Sequence, residues 1–238
     1  MDDELPPEPR SFAASGVGRS RDNDVVGDLQ RVCRDAVHAL SASGAGLSVM
    51  ARNGVHGIAT ASDPSTARIE ELQFTFGEGP CVDALAMSRP VLVSNLAEGA
   101  GRWPVYAAAA HNAGIRAVFA FPLQVGAARL GVLDVFRTSA GALSRDELGQ
   151  AFAFADRAVT TLLDSQEHAT AARDGLSGTI EPRAEIFQAQ GMVMVQLGVT
   201  ITEALVRMRA YAYAENRPLS EVAADVVAGR LHFDREDT

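Results

Sequence analysis

With 238 residues, 47% of them hydrophobic, the chain carries material for two packed domains or one large one, and disorder throughout is excluded. A formal net charge of −9 argues against a protein that coats nucleic acid nonspecifically, because neutralising phosphates takes cationic surface, although a local site remains open. The two cysteines, Cys33 and Cys81, are too few for a disulfide framework and lack the spacing of a structural zinc site, which fits a reducing cytoplasm.

The acidic start, Met1-Asp2-Asp3-Glu4-Leu5, is unlike a secretion signal, and no apolar run approaches the length of a membrane span. A cytoplasmic protein without membrane contact is expected. All 21 basic residues are arginine, which is read as a genomic bias rather than as mechanism. Residues 1–22 are rich in Pro, Ser, Gly and charge, so ordering them would bury little, and a flexible tail is predicted.

From Asp24 onward Val25, Leu29, Val32, Ala36, Val37 and Leu40 recur at helical spacing, giving an amphipathic helix that ends near Gly44. Two short apolar runs, 46–51 and 55–60, flank Asn53-Gly54, a pair suited to a tight turn, and are predicted to form an antiparallel hairpin. Asp63-Pro64 supplies an N-cap and a proline at the first helical position, with Ile69 and Leu72 on the apolar side and a stop near Gly77 to Gly79. Residues 91–93, 116–125 and 129–136 read as strands, the last two joined by a turn at Gly126, and their continuous apolar character predicts central, doubly covered positions. Ser144-Arg-Asp-Glu147 has the reciprocal capping pattern, opening a helix whose stripe runs through Leu148, Ala151, Phe152, Ala155, Val159, Leu162 and Leu163.

A mixed domain is therefore placed over 23–163, followed by a linker over 164–180, where Gly175 and Gly178 weaken a continuous helix, although the preceding helix can run some way into it. After it come three helical patterns and no strand: 183–197 ended by Gly198, 201–215 opened by the capping box Thr200-Ile-Thr-Glu203, and 219–228 behind Pro218. They predict a three-helix bundle over 181–230 and a tail over 231–238. The fold class is α+β, an antiparallel sheet with packed helices followed by an all-α bundle.

Phe76-Gly-Glu-Gly-Pro-Cys81, Val82-Asp-Ala-Leu85, Trp103-Pro-Val-Tyr106, Gly114-Ile-Arg-Ala-Val118, Phe121-Pro-Leu123 and Leu130-Gly-Val-Leu133, in that order, resemble the GAF domains of actinobacterial regulators. The resemblance implies a central antiparallel sheet, helices packed on one side, and a cavity or dimer surface used for sensing an unidentified small molecule or protein. The Asn-Lys-Phe-Asp-Glu set associated with cyclic-nucleotide binding is absent. Ala184-Glu-Ile-Phe-Gln-Ala-Gln-Gly-Met-Val-Met194, with Gly198, Glu203-Ala204, Met208-Arg209, Ala212 and Leu219-Ser-Glu-Val-Ala223, resembles the ANTAR domain. That family implies an RNA-binding antitermination module, which captures a hairpin of nascent RNA so that an overlapping terminator cannot form, and a homodimer is expected.

On this resemblance the candidate RNA contacts are Gln188, Gln190, Gly191, Arg209 and Arg217. Arg207 and Arg209, two residues apart, cannot share a helical face; Arg209 is the preferred contact and Arg207 the alternative, with an ordinary surface arginine as the competing reading of either. Gln188 and Gln190 are suited to bases or backbone, or are simply a polar helix face. Tyr211 and Tyr213 offer stacking rings, but Tyr211 stands at core spacing. Gly191 in mid-helix costs about 1 kcal/mol relative to alanine, which close approach of a helix or an RNA backbone would explain.

The segment departs from the family where lysine is often found, at Gln190, and over 181–230 its arginines (183, 207, 209, 217, 230) are outnumbered by acids (181, 185, 203, 215, 221, 225), which predicts weaker or dimer-dependent RNA affinity. The alternative function is a protein-interaction or dimerisation module without RNA binding.

Cys81, beside a predicted helix start, is the candidate for ligand or redox sensing through a stabilised thiolate, against a buried inert thiol. His38, His56, His111, His168 and His232 show no metal spacing, so no metal and no cofactor is expected. No nucleophile stands beside a base and no phosphate-binding loop appears, so the chain is read as a regulator, not an enzyme, the enzymatic alternative being a cysteine-dependent methionine-sulfoxide reductase.

Overall fold

The computed structural model describes residues 17–50, 56–172, 181–215 and 217–234. The first helix, α1 (Val17–Ala39), begins seven residues before Asp24, inside the predicted tail. Once a helix is nucleated each added residue gains a hydrogen bond, so polar residues can continue it. The rest of that tail lies outside the described residues, as does the Asn53-Gly54 turn.

Strands β1 (Gly44–Met50), β2 (His56–Ala61), β3 (Val91–Val93), β4 (Ala117–Val125) and β5 (Ala128–Arg137) form one antiparallel sheet in the order β2-β1-β5-β4-β3. β5 is central, as its largely apolar run predicts. β4 tolerates Pro122 because β3 pairs only with Val118 to Ala120, which leaves β5 as the neighbour at the proline.

Alternation along the strands sends side chains to two covered faces. Leu47, Phe119, Phe121, Leu133 and Val135 meet α1 and α5 (Arg145–Ala172) on one side. Val118, Ala120, Val132 and Phe136 meet α2 (Pro64–Phe76), α3 (Pro80–Met87) and α4 (Pro104–Asn112) on the other. Helices on one side only, the arrangement the resemblance implied, is thus corrected: both faces of β4 and β5 are apolar and both need cover. Arg137 joins β5 to the two outer helices, donating to the Leu40 carbonyl at the end of α1 and pairing with Glu147 at the start of α5.

The expected caps are present. The Asp63 carboxylate accepts the Thr66 N–H at 2.9 Å, and Gly77 ends α2 in the left-handed region. Ser144 and Glu147 exchange both capping bonds at the start of α5. This helix runs on to Ala172, through half of the predicted linker, whose remainder at 173–180 lies outside the described residues.

Helices α6 (Glu181–Leu197), α7 (Ile201–Ala214) and α8 (Leu219–Val227) form the C-terminal bundle. Its core consists of Ile186, Ala189 and Val193 from α6, Ala204, Met208 and Ala212 from α7, and Leu219, Val222, Ala223 and Val226 from α8. The chain turns by 102° between α6 and α7, with Gly198 left-handed and the Thr200–Glu203 capping box closed. Phe233, placed in the predicted tail, instead packs edge-on to Tyr211 and joins this core, because an aromatic ring there completes the burial of α7. No single helix among the described residues is long and apolar enough to cross a membrane.

Candidate functional site

The Phe76 to Cys81 segment is a junction between helices, and each residue in it has a physical task. Glu78 accepts the backbone N–H groups of Val105 and Tyr106 at 2.7 and 2.8 Å, so its carboxylate satisfies the open N-terminus of α4. Gly79 adopts a φ of 139°, and a Cβ there would fall 2.6 Å from the Gln73 side-chain oxygen. Pro80 starts α3. Asp83, one turn on, accepts the Trp103 indole N–H at 3.0 Å and pairs with Arg102 at 2.7 Å, tying α3 to the start of α4.

Beneath this junction lies a polar cluster on the α2–α4 face of the sheet. Gln73 is central to it: its amide N–H donates to Asp134 at 3.2 Å, and its oxygen accepts the Cys81 backbone N–H at 2.8 Å. Cys81 Sγ is 3.4 Å from the Ser48 hydroxyl. Glu70 reaches in from α2 beside Gly46, where a Cβ would come within 2.3 Å of its carboxylate. All of these side chains are buried.

Burial, and then the neighbouring Asp134 and Glu70 carboxylates, push the Cys81 thiol well above its ordinary range. This corrects the expectation of a stabilised thiolate near a helix start, since desolvation and like charge outweigh any helix dipole. Burial likewise raises Asp134 above the carboxylate range. Cys33 is inert packing between α1 and the sheet, its thiol raised by burial.

The sensor and the bundle touch through α2. Phe74 belongs to the bundle's core although it stands on the sensor, and Ser220 of α8 donates to Glu71 at 2.5 Å. Phe76 meets Tyr213 edge-on, with ring centroids 6.1 Å apart. The Arg209 guanidinium lies over the Phe74 ring, 5.4 Å from its centroid, and against Gly77, where a Cβ would sit 2.6 Å from a guanidinium nitrogen. Its Nε is buried without a hydrogen-bond partner, and burial lowers its pKa. Alongside the contact an open groove of about 690 Å³ is lined by Arg68, Glu71, Phe76, Asn112, Tyr213 and Arg217, among others.

The five residues expected to meet RNA do not share one face. Gln188 is exposed on α6, and Gly191 on the same side has open space where a Cβ would go, so no neighbouring helix accounts for the glycine. Gln190 is 6% exposed and donates to the Ile201 carbonyl at 2.6 Å, holding the α6–α7 turn. Arg209 is covered by α2, and Arg217 pairs with Asp225 at 2.6 Å and Glu221 at 3.7 Å. Tyr211 packs inside and Tyr213 is 61% exposed. Sequence reasoning missed Glu70, Gln73 and Asp134 as a group, because they come from two elements and only the packing of α2 on the sheet brings them together. Asp134 alone left a trace, as the one acid in an apolar strand.

The GAF domain family matches residues 26–162, more than half of the chain, and the ANTAR domain family matches residues 174–227. No curated protein matches the chain. Among solved structures it is similar to the GAF domain region of a protein from Geobacter sulfurreducens PCA, at 17% identity and a TM-score of 0.52, covering 60% of this chain and 96% of that one. A domain from Sinorhizobium meliloti 1021 aligns at 18% identity and a TM-score of 0.48, covering 67% and 99%. The second GAF domain of DevS from Mycobacterium smegmatis aligns at 18% identity and a TM-score of 0.45, covering 62% and 99%. The chain belongs to the GAF domain family and carries an ANTAR domain after it, the pairing of a GAF-regulated, antiterminator-type regulator.

Proposed function

We propose that this chain is a signal-responsive transcription antiterminator whose helical bundle binds hairpins of nascent RNA and whose sensor domain restrains that bundle through α2. The observation that carries the reading is the position of Arg209, an output-domain arginine held under the sensor's Phe74 with its Nε unpaired. An arginine buried without an anionic partner is held there at a cost. Release from α2 rehydrates it and frees it for phosphate. A signal that favours the released state by more than the docked state shifts the population toward RNA binding.

In this scheme Gln188 and Gly191 form the face already open to RNA, and Arg209 joins on release. The chain acts in the cytoplasm as a homodimer, which links two weak RNA sites and raises their joint affinity. It acts as a regulator without catalysis, a reading favoured by the fully buried Cys81, which no substrate sulfoxide reaches.

The test is binding of full-length protein and Arg209→Ala to a tandem-hairpin RNA at several salt concentrations, with light scattering for the oligomer. Affinity that falls as salt rises, and a smaller salt dependence in the variant, is the expected result. A second reading, a protein-interaction module without RNA binding, is favoured by the internal engagement of Gln190 and Arg217. It is adopted if neither the full chain nor its Phe74→Ala variant binds RNA.

A further inference from the structure

Three acidic groups distant in sequence meet inside the sensor: Glu70 from α2, Cys81 from α3 and Asp134 from β5. One carboxylate oxygen of each acid and the Cys81 Sγ lie within 4.8 Å of one another, and all three residues are buried. Buried charge persists only when something neutralises it. Among the described residues the side chains acting on Asp134 are Cys81, Glu70 and Gln73, with no arginine or histidine among them. Tyr106 from α4 provides a separate observation. It is fully buried, its hydroxyl has no hydrogen-bond partner, and it is near enough for Asp134, Glu70 and Cys81 all to act on it. A polar atom so placed calls for an occupant between it and the three acids.

We propose that Glu70, Cys81 and Asp134 form a binding site for one divalent transition cation of the zinc class, with the Tyr106 hydroxyl beside it. The donor set decides the class. A thiolate selects against Mg²⁺ and Ca²⁺, and two carboxylates select against Cu⁺. Three protein ligands leave a fourth position for a water molecule. On binding, the Cys81 thiol releases its proton to solvent and the cation neutralises the carboxylates.

The surroundings are built for the ligands. Gln73 holds two of the three, through its bonds to Asp134 and to the Cys81 backbone, as an outer-shell partner does in metal sites. Gly46 and Gly79 leave the room that Glu70 and Gln73 occupy. The site's use as the sensor's input rests on the regulatory reading above, whereas cation binding itself does not. Glu70 and Gln73 face the cluster from the same helix that presents Glu71 and Phe74 to the bundle. Ligation that draws Glu70 inward therefore moves the surface on which the bundle is docked.

The experiment titrates chelator-stripped full-length protein and its Cys33→Ser variant with Co²⁺, both in the native state and during refolding. The expected result is one Co²⁺ per chain, with thiolate-to-cobalt absorption in the near ultraviolet and the visible bands of tetrahedral cobalt, both lost on adding Zn²⁺ and unchanged by Mg²⁺. Gln73→Ala weakens binding roughly 10–100-fold, and Cys81→Ser removes the thiolate band. The proposal is overturned if Cys33→Ser shows no thiolate band by either route. It is overturned equally if cobalt binds but Asp134→Asn leaves its affinity and spectrum unchanged. Cys33→Ser keeps every proposed ligand, so that arm decides the matter even where a ligand variant does not fold. No RNA enters the readout, so failure here leaves antitermination standing, and failure of RNA binding leaves the cation site standing.

Discussion

Phe74→Ala separates docking from folding, because Phe74 stands on the sensor's α2 yet is 6% exposed and packs in the core of the bundle. Burying a phenylalanine side chain is worth about 1.5–3 kcal/mol. A guanidinium over a desolvated ring adds about 1–2 kcal/mol. Against these stands the unpartnered Arg209 Nε, whose burial costs roughly 1–3 kcal/mol. That cost remains when the ring is removed, so the substitution takes away favourable terms alone. A loss of about 3 kcal/mol, toward the lower end of that sum, lowers the docked-to-undocked ratio roughly 150-fold. Native-state hydrogen exchange should then show faster exchange in α7 and α8 and in the outer turn of α2, with the sheet amides unchanged. RNA affinity should rise by up to the same factor, since apparent affinity scales with the competent fraction. Exchange in α7 and RNA affinity both equal to those of the unsubstituted protein would refute the restraint.

Three further predictions follow the same contacts. In the Phe74→Ala background, Arg209→Ala should reduce the slope of log affinity against log salt by about one, measured by RNA titration, if Arg209 meets one phosphate. Glu78→Ala removes the acceptor for two N–H groups of α4 and should cost about 2 kcal/mol in urea unfolding of the full chain, whereas an unchanged midpoint would show that solvent satisfies those groups as well. Asp63→Ala should cost about 1–2 kcal/mol at neutral pH through loss of the α2 cap. Burial alone would raise Asp63, but hydrogen bonds from Ser65, Thr66 and Ser62 outweigh it and hold the carboxyl well below its ordinary 3.8. A depressed folded value means the stabilisation is complete above the unfolded pKa and fades as pH falls through the folded one. The difference between the two proteins should therefore be constant from pH 7 down to about 5 and shrink under stronger acid.

Much of the architecture was legible locally. The Asp63-Pro64 cap, the Ser144 and Thr200 capping boxes and the stop at Gly198 depend on residues three or four apart, and all four occur where the spacing places them. The end of α5 was not legible, because helix propagation past Leu163 needs no core and leaves no apolar stripe to read. The apolar runs of β4 and β5 predicted cover on both faces, against the one-sided layer that the resemblance implied, but not which helices supply it. Alternation in β4 and β5 is hidden when both faces are apolar, so the sequence does not reveal how many helices cover each side.

The candidate site divides along the same line. That the chain has a mixed domain followed by an all-α bundle, and where the capped or glycine-stopped helix ends fall, was determined by the sequence alone, because caps, glycines and hydrophobic period act over one or two turns. Tertiary structure alone decided what Cys81 is, since the carboxylates that raise its thiol come from α2 and β5 and are brought to it by the packing of α2 and α3 on the sheet. It alone decided that Gln190 braces a turn and that Arg209 lies under Phe74, because a helix's own period states which residues share a face but not which element covers it.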